Sequence, residues 1–236
     1  MNRTLSLDDY LSLANTALQL QTDGQLRTAR KEDGSGIQDL THLIGGLEYP
    51  LPGINAILTE PGNLNYVIAQ TQKPTPKDRE PGGSGYPSLL SFSLAYPAQQ
   101  FPKILGYMTW IPSEIPPEHN DPHALWLELK ITHPNMQGKG VYRIIRTMQE
   151  LAAYEKGYQR IYLQSFNDKA RDIHLKEGYN LLRCVQLSEP GQPDHDEYLM
   201  RLDLTAERHQ RNKEYFKVPT SSPTTYHNYP LPISRI

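Results

Sequence analysis

Apolar residues recur along this chain with two different periods, and the change from one period to the other marks out the elements. Leu7, Leu11, Ala14, Leu18 and Leu20 follow a helical stripe over 6–21, with Ser6 placed as N-cap and Asp8 and Asp9 in the first turn. A second helix is expected over 36–46, ended by Gly45-Gly46. The following LEYPLPGINAILTEPGN is turn-rich and yields no element. Residues 65–70 read as a strand, and 71–87, with no apolar residue between Gln70 and Tyr86, as a long loop. The stretches 88–96 and 104–111 predict two strands of a hairpin.

From residue 124 the pattern sharpens. ALWLELKIT alternates as a strand, putting Trp126, Glu128 and Lys130 on one face and Leu125, Leu127, Leu129 and Ile131 on the other. Residues 141–156 carry apolar side chains at helical spacing, ended by Gly157. A strand over 160–166, a helix from an Asn167 cap to Glu177, and two strands (NLLRCVQLS and EYLMRLDL) complete an α/β unit with a crossover. TAERHQRNKEYF predicts a polar helix, and the remainder a Pro/Tyr-rich tail. The chain thus divides into one domain over 1–204 and a C-terminal helix and tail over 205–236.

Composition narrows the function classes. The 236 residues hold 24 Lys and Arg against 26 Asp and Glu, a net charge of −2, which removes the broad cationic field of a nucleic-acid binder. No apolar run is long enough to span a bilayer, and the acidic N-terminus is unlike a secretion signal. Cys184 is the only cysteine, so no internal disulfide forms; a cytoplasmic protein is expected, with Cys184 packed in an apolar strand. No feature fixes an oligomeric state. The 20 prolines crowd into 50–117 and 190–232 and leave 135–189 free, which is where the candidate chemistry falls.

Gln137-Gly138-Lys139-Gly140-Val141-Tyr142 lies between the end of a strand and the start of a helix. Two glycines permit a tight turn, the first helical amides and the positive end of the dipole point into one space, and Lys139 adds charge, so the segment is suited to a diphosphate. A purely structural turn has the same appearance. Downstream, Asn167 and His174 are two helical turns apart with small Ala170 between them, a face that can line a groove for an extended ligand.

Taken together, Gln137-Gly-Lys-Gly140 and Asn167-x-x-Ala170-x-x-x-His174-x-x-x-Gly178-Tyr179 resemble the motifs of the GCN5-related N-acetyltransferase (GNAT) superfamily over 103–204. The resemblance implies a mixed α/β (α+β) fold: a mostly antiparallel central sheet flanked by helices, with an elaborated N-terminal part and a C-terminal tail. It implies an acyl-CoA-dependent N-acyltransferase that uses acetyl-CoA or a longer acyl-CoA as co-substrate, with no metal. The acceptor is then a small-molecule or peptide amine that attacks directly in a ternary complex. A fatty-acyl transferase acting on a peptide or side-chain amine, and an inactive CoA-binding module, are the alternatives.

By the same resemblance the backbone of Leu129, Lys130 and Ile131 receives the pantetheine arm and carbonyl, and His174 stands where the family has a tyrosine that protonates the thiolate. Tyr142 replaces a small residue and is expected to crowd or reshape the diphosphate site. Glu128, a carboxylate in an apolar strand whose burial raises its pKa, is the candidate base, unless it merely faces solvent. Asp194, Asp196 and Glu197, expected on a loop, would attract a cationic acceptor or else form a solvated turn. Glu118, His119, Asp121 and His123 suggest a metal cluster, but the neighbouring prolines prevent helical ligand spacing, so no metal is expected.

Overall fold

The computed structural model describes residues 5–45, 50–70, 89–100, 117–166, 168–187 and 195–217. The expected strand over 104–111, the loop over 71–87, the tail from 218, Asn167 and Asp194 lie outside the described residues. Seven strands form one sheet in the order β1-β2-β3-β4-β5-β7-β6. They are β1 (Gly24–Thr28), β2 (Tyr66–Gln70), β3 (Leu89–Pro97), β4 (Ala124–Thr132), β5 (Arg160–Ser165), β6 (Asn180–Leu187) and β7 (His195–Asp203). Among the described strands β4 and β5 pair in parallel and the other pairings are antiparallel.

One face of the sheet packs against α1 (Leu7–Gln19), α4 (Val141–Glu155) and α6 (Ala206–Lys217). Helix α1 begins as its sequence dictates, with a reciprocal capping box between Ser6 and Asp9. It buries Tyr10, Ala14 and Leu18, and its Asn15 side chain both accepts from Leu26 N and donates to Leu26 O, satisfying the outer edge of β1. The stripe of α4 (Val141, Ile144, Ile145, Met148 and Leu151) joins Leu125, Leu127, Ile161 and Leu163 in this core, and Phe216 of α6 closes it. The opposite face packs against α2 (Gly34–Gly45) and α3 (Leu51–Thr59) through Ile37, Leu40, Ile54 and Ile57.

Three features add to or correct the sequence pattern. Residues Leu51–Thr59 are helical, because Pro50 occupies the cap and Pro52 the first turn, where a missing N–H costs nothing. Strand β3 pairs with β2 on one edge and with β4 on the other. Cys184 is exposed rather than packed, because β6 is the outermost strand and its residues 181–186 are all exposed. No described helix is long and apolar enough to cross a membrane.

Candidate active site

The site is built on an irregularity in β4. Opposite it, Leu94 pairs with Leu129 and Ala95 with Leu127, so Glu128 has no counterpart and forms a bulge. The bulge reverses the alternation that the sequence suggested. Trp126 faces the α2–α3 core, whereas Lys130 faces α4 on the side of Leu125 and Leu127, and Leu129 and Ile131 take the α2–α3 face. The expected common face for Trp126 and Lys130 is therefore corrected, as is that for Leu127 and Leu129: one inserted residue flips every later side chain.

At the same place β4 and β5 part. Their parallel pairing runs only from Ala124–Arg160 to Leu127–Leu163, while β5 continues beside β7 to Ser165. Leu129–Ile131 keep β3 on one edge and have no described strand on the other. Backbone donors and acceptors on that edge require another partner.

Beyond β4, a short 3-10 turn over Pro134–Met136 leads into the glycine-rich loop. Gly138 and Gly140 have φ of +76° and +71°, a left-handed conformation that favours glycine. Gly140 is the N-cap of α4, and no described backbone carbonyl accepts from the amides of Gly138, Gly140, Val141 or Tyr142. A Cβ at Gly138 would meet nothing within 4 Å. Unpaired amides at a helix start, open space above them and a split in the adjoining sheet fit an extended ligand with an anionic end and an amide-bearing arm. Lys139 is exposed at the same loop.

The two positions that departed from the family pattern meet at one atom. The Tyr142 hydroxyl donates to Glu177 Oε2 at 2.8 Å, and His174 Nδ1 lies 3.3 Å from the same oxygen. The Tyr142 ring is thus engaged with Glu177 and lies under Lys130 Nζ, 4.1 Å from its centroid. Arg146 pairs with Glu177 Oε1 at 3.0 Å, and Lys130 Nζ is 4.0 Å from Oε2, buried with no hydrogen-bond partner among the described residues. This cluster continues through Arg146 to Glu150, which Arg208 of α6 holds with two bonds of 2.8 and 3.0 Å.

Burial and charge set the protonation states. Burial works against ionisation of Glu177, but Lys130, the His174 contact and Arg146 outweigh it and hold the carboxyl down at about 2. Burial pushes Lys130 down to about 8, against the opposing pull of Glu177. His174 is also held below its ordinary value, chiefly by burial. Across β4, half-buried Glu128 accepts from the Tyr96 hydroxyl at 2.7 Å, and burial raises it to about 7.

The remaining candidates separate. His174 and half-buried Ala170 sit on α5 (Asp168–Lys176), beside the parted strands. Asp196 and Glu197 are not on a loop but within β7, where a period of two sends them to opposite faces. Asp196 lies near the Tyr198 hydroxyl, 3.1 Å away, and Glu197 accepts from Gln164 at 2.7 Å, so they form no single acidic patch. His119 packs its ring on Trp126, and Asp121 pairs with Arg160; no group of metal-ligating residues occurs among the described residues. Glu177 and the Lys130 side chain escaped the sequence reading, although the three-residue step from His174 to Glu177 places them on one helical face.

No protein-family sequence model matches this chain, and no curated protein matches it as a relative. Solved structures do. An N-acetyltransferase of Staphylococcus aureus aligns with a TM-score of 0.52 at 15% identity, covering 78% of this chain and 100% of that one. NAA60 of Arabidopsis thaliana, in complex with acetyl-CoA, aligns at 0.53 and 12%, covering 76% and 98%. The structure of yncA from Salmonella typhimurium with its cofactor acetyl-CoA aligns at 0.52 and 14%, covering 78% and 95%. The fold is that of the GNAT superfamily.

Proposed function

Starting from the GNAT fold, we propose that this chain is an N-acyltransferase that moves an acetyl or longer acyl group from acyl-CoA to an amine by direct attack in a ternary complex. The observation that carries the reading is the parting of β4 and β5 at Glu128, directly before a glycine-rich loop whose amides open onto the start of α4. Gln137, Gly138, Lys139, Gly140, Val141 and Tyr142 would hold the diphosphate, and the free edge of Leu129, Lys130 and Ile131 the pantetheine arm and carbonyl. Asn167 and Ala170 would line the groove, and whichever of Asp196 and Glu197 lies on the groove side of β7 would border the acceptor.

Acyl transfer to nitrogen requires an unprotonated amine, charge stabilisation at the carbonyl oxygen and a proton for the departing thiolate. Glu128 serves as base: its pKa of about 7 leaves a substantial ionised fraction at neutral pH and a carboxylate basic enough to take an ammonium proton. Backbone amides on the free β4 edge stabilise the carbonyl oxygen, and His174 supplies the thiolate's proton. The same reading places the protein in the cytoplasm, where acyl-CoA and amine acceptors meet.

The test is thermal shift with acetyl-CoA and longer acyl-CoAs, followed by thiol release with a panel of amines and N-terminal peptides. Stabilisation together with amine-dependent thiol release supports the reading. No stabilisation by any CoA species would sink it, and stabilisation without turnover on any amine would identify a CoA-binding module instead.

A further inference from the structure

We propose that Glu177 is a positioning residue for this transfer: it fixes the tautomer of His174 so that Nε2 is the nitrogen that carries the proton to sulfur. The inference rests on the acyltransferase reading, but its core is a statement about one hydrogen bond. An ionised carboxylate can only accept, so the Glu177 oxygen 3.3 Å from His174 Nδ1 requires an N–H there. In neutral imidazole that leaves the lone pair on Nε2. Nε2 makes no hydrogen bond with a described residue and is not among the fully buried unpaired atoms, so it retains access to solvent.

The carboxylate is itself fixed. Tyr142 donates to Oε2 and Arg146 forms an ion pair with Oε1, so rotating Glu177 away from His174 would break both contacts. The groups facing this pair come from every packed element: Lys130 from β4, Tyr142 and Arg146 from α4, Tyr179 from the chain leading into β6, and Arg208 from α6, which bonds the Glu177 carbonyl. Lys130 and Arg146 disfavour imidazolium whereas Glu177 favours it, and burial leaves His174 neutral at rest. A neutral His174 cannot act as an acid until it has first received a proton.

The attacking nitrogen supplies that proton. An acceptor that enters as an ammonium loses two protons on the way to an amide. Glu128 takes the first, freeing the lone pair for attack on the thioester carbonyl. As the C–N bond forms, Nε2 of His174 takes the second, and as the C–S bond breaks, Nε2–H gives it to sulfur. Glu177 stabilises the transient imidazolium through Nδ1–H and returns the ring to the same tautomer. The products are the amide and free thiol, with one proton left on Glu128, so charge and atoms balance. The two departures from the family motifs, Tyr142 and His174, then belong to one device, in which the tyrosine orients the carboxylate that orients the histidine.

The experiment uses the full chain labelled with ¹⁵N-histidine, with the His174 signals assigned by their loss in His174→Gln. Long-range ¹H–¹⁵N spectra should show the Nδ1–H tautomer in the wild type and an added Nε2–H population in Glu177→Gln. In kinetics, Glu177→Gln should lower kcat about 100-fold with KM for acetyl-CoA within about 3-fold, and move the acid limb of kcat/KM to lower pH. Should that variant fail to fold, Tyr142→Phe, which removes one bond to the same oxygen, should lower kcat about 5-fold with a tautomer change in the same direction. An Nε2–H ring in the wild type, or tautomer and kcat unchanged in both variants, overturns the proposal. Absence of thiol release from the wild type overturns the transfer reading and the proton role with it, a result separate from the tautomer measurement.

Discussion

The two halves of β4 lie on one continuous strand and do different work. From Leu125 to Leu127 the strand is paired on both edges, and its residues are 0–6% exposed, each completing one of the two cores. From Glu128 to Thr132 it keeps β3 alone, and it presents a carboxylate to Tyr96 on one side and an ammonium to Tyr142 and Glu177 on the other. One unmatched residue separates the halves. A bulge ends the β4–β5 pairing and re-aims the side chains in a single step, turning a strand that stabilises the fold into an edge able to receive a ligand.

That division is sharpest in its first expected consequence. Glu128→Gln should lower kcat by about 10²–10⁴-fold and abolish the rise in rate with pH through about 7. It should also stabilise the protein at pH 8. The folded-state pKa of about 7 lies above the ordinary 4.5, so the folded state retains a proton that the unfolded chain has lost, and stability falls as pH rises through that window. Glutamine escapes this loss, and a Tm higher by about 2–4 °C at pH 8, converging with the wild type below pH 4.5, is the expected result. One residue earlier the outcome reverses. Leu127→Ala should cost about 2–5 kcal/mol in denaturant unfolding, with kcat per folded molecule within about 2-fold of the wild type. A comparable loss of kcat in both variants would erase the functional boundary at the bulge.

The boundary itself was hidden in the sequence, because ALWLELKIT alternates without interruption and an inserted residue leaves no mark until its partner strand is known. What was legible followed from local physics. The stripe of α4 is continuous, its start is marked by two glycines, and the spacing of Ala170 and His174 on α5 is helical, so the loop and the helices could be read. The overall sheet was implied by the family resemblance. Helix α3 was obscured by Pro52 and Gly53, residues that favour turns but are tolerated in a first helical turn. Cys184 was misplaced because strand patterning does not reveal which strand lies at the sheet edge. The cluster of Lys130, Tyr142 and Glu177 joins β4, α4 and the end of α5, and no single-element pattern reports a meeting of three elements.

A smaller effect is expected at Gly140. Its φ of +71° and the Gln21 Oε1 atom 3.2 Å from a substituted Cβ make Gly140→Ala strained in the loop while leaving β4 untouched. The variant should lose about 1–2 kcal/mol of stability and bind acetyl-CoA about 10-fold more weakly in calorimetry, with the Glu128-dependent rise near pH 7 retained. Loss of that rise would mean that the loop and the bulge act as one unit.

The smallest effect concerns the second charged residue beyond the bulge. Lys130 Nζ is buried without a hydrogen-bond partner among the described residues, and Arg146 continues to pair Glu177 when the ammonium is removed. Lys130→Met should therefore be at least as stable as the wild type at pH 7, by up to about 1 kcal/mol. The sign with pH is fixed by linkage. The folded-state pKa of about 8 lies below the ordinary 10.5, so between these values the unfolded chain binds the extra proton and wild-type stability climbs with pH. The advantage of the variant should accordingly shrink from pH 8 to 10.5. Because Lys130 also disfavours imidazolium at His174, the acid limb of kcat/KM should move to higher pH, opposite to the shift expected for Glu177→Gln. Shifts in the same direction would show that the cluster acts through packing rather than through charge at the imidazole.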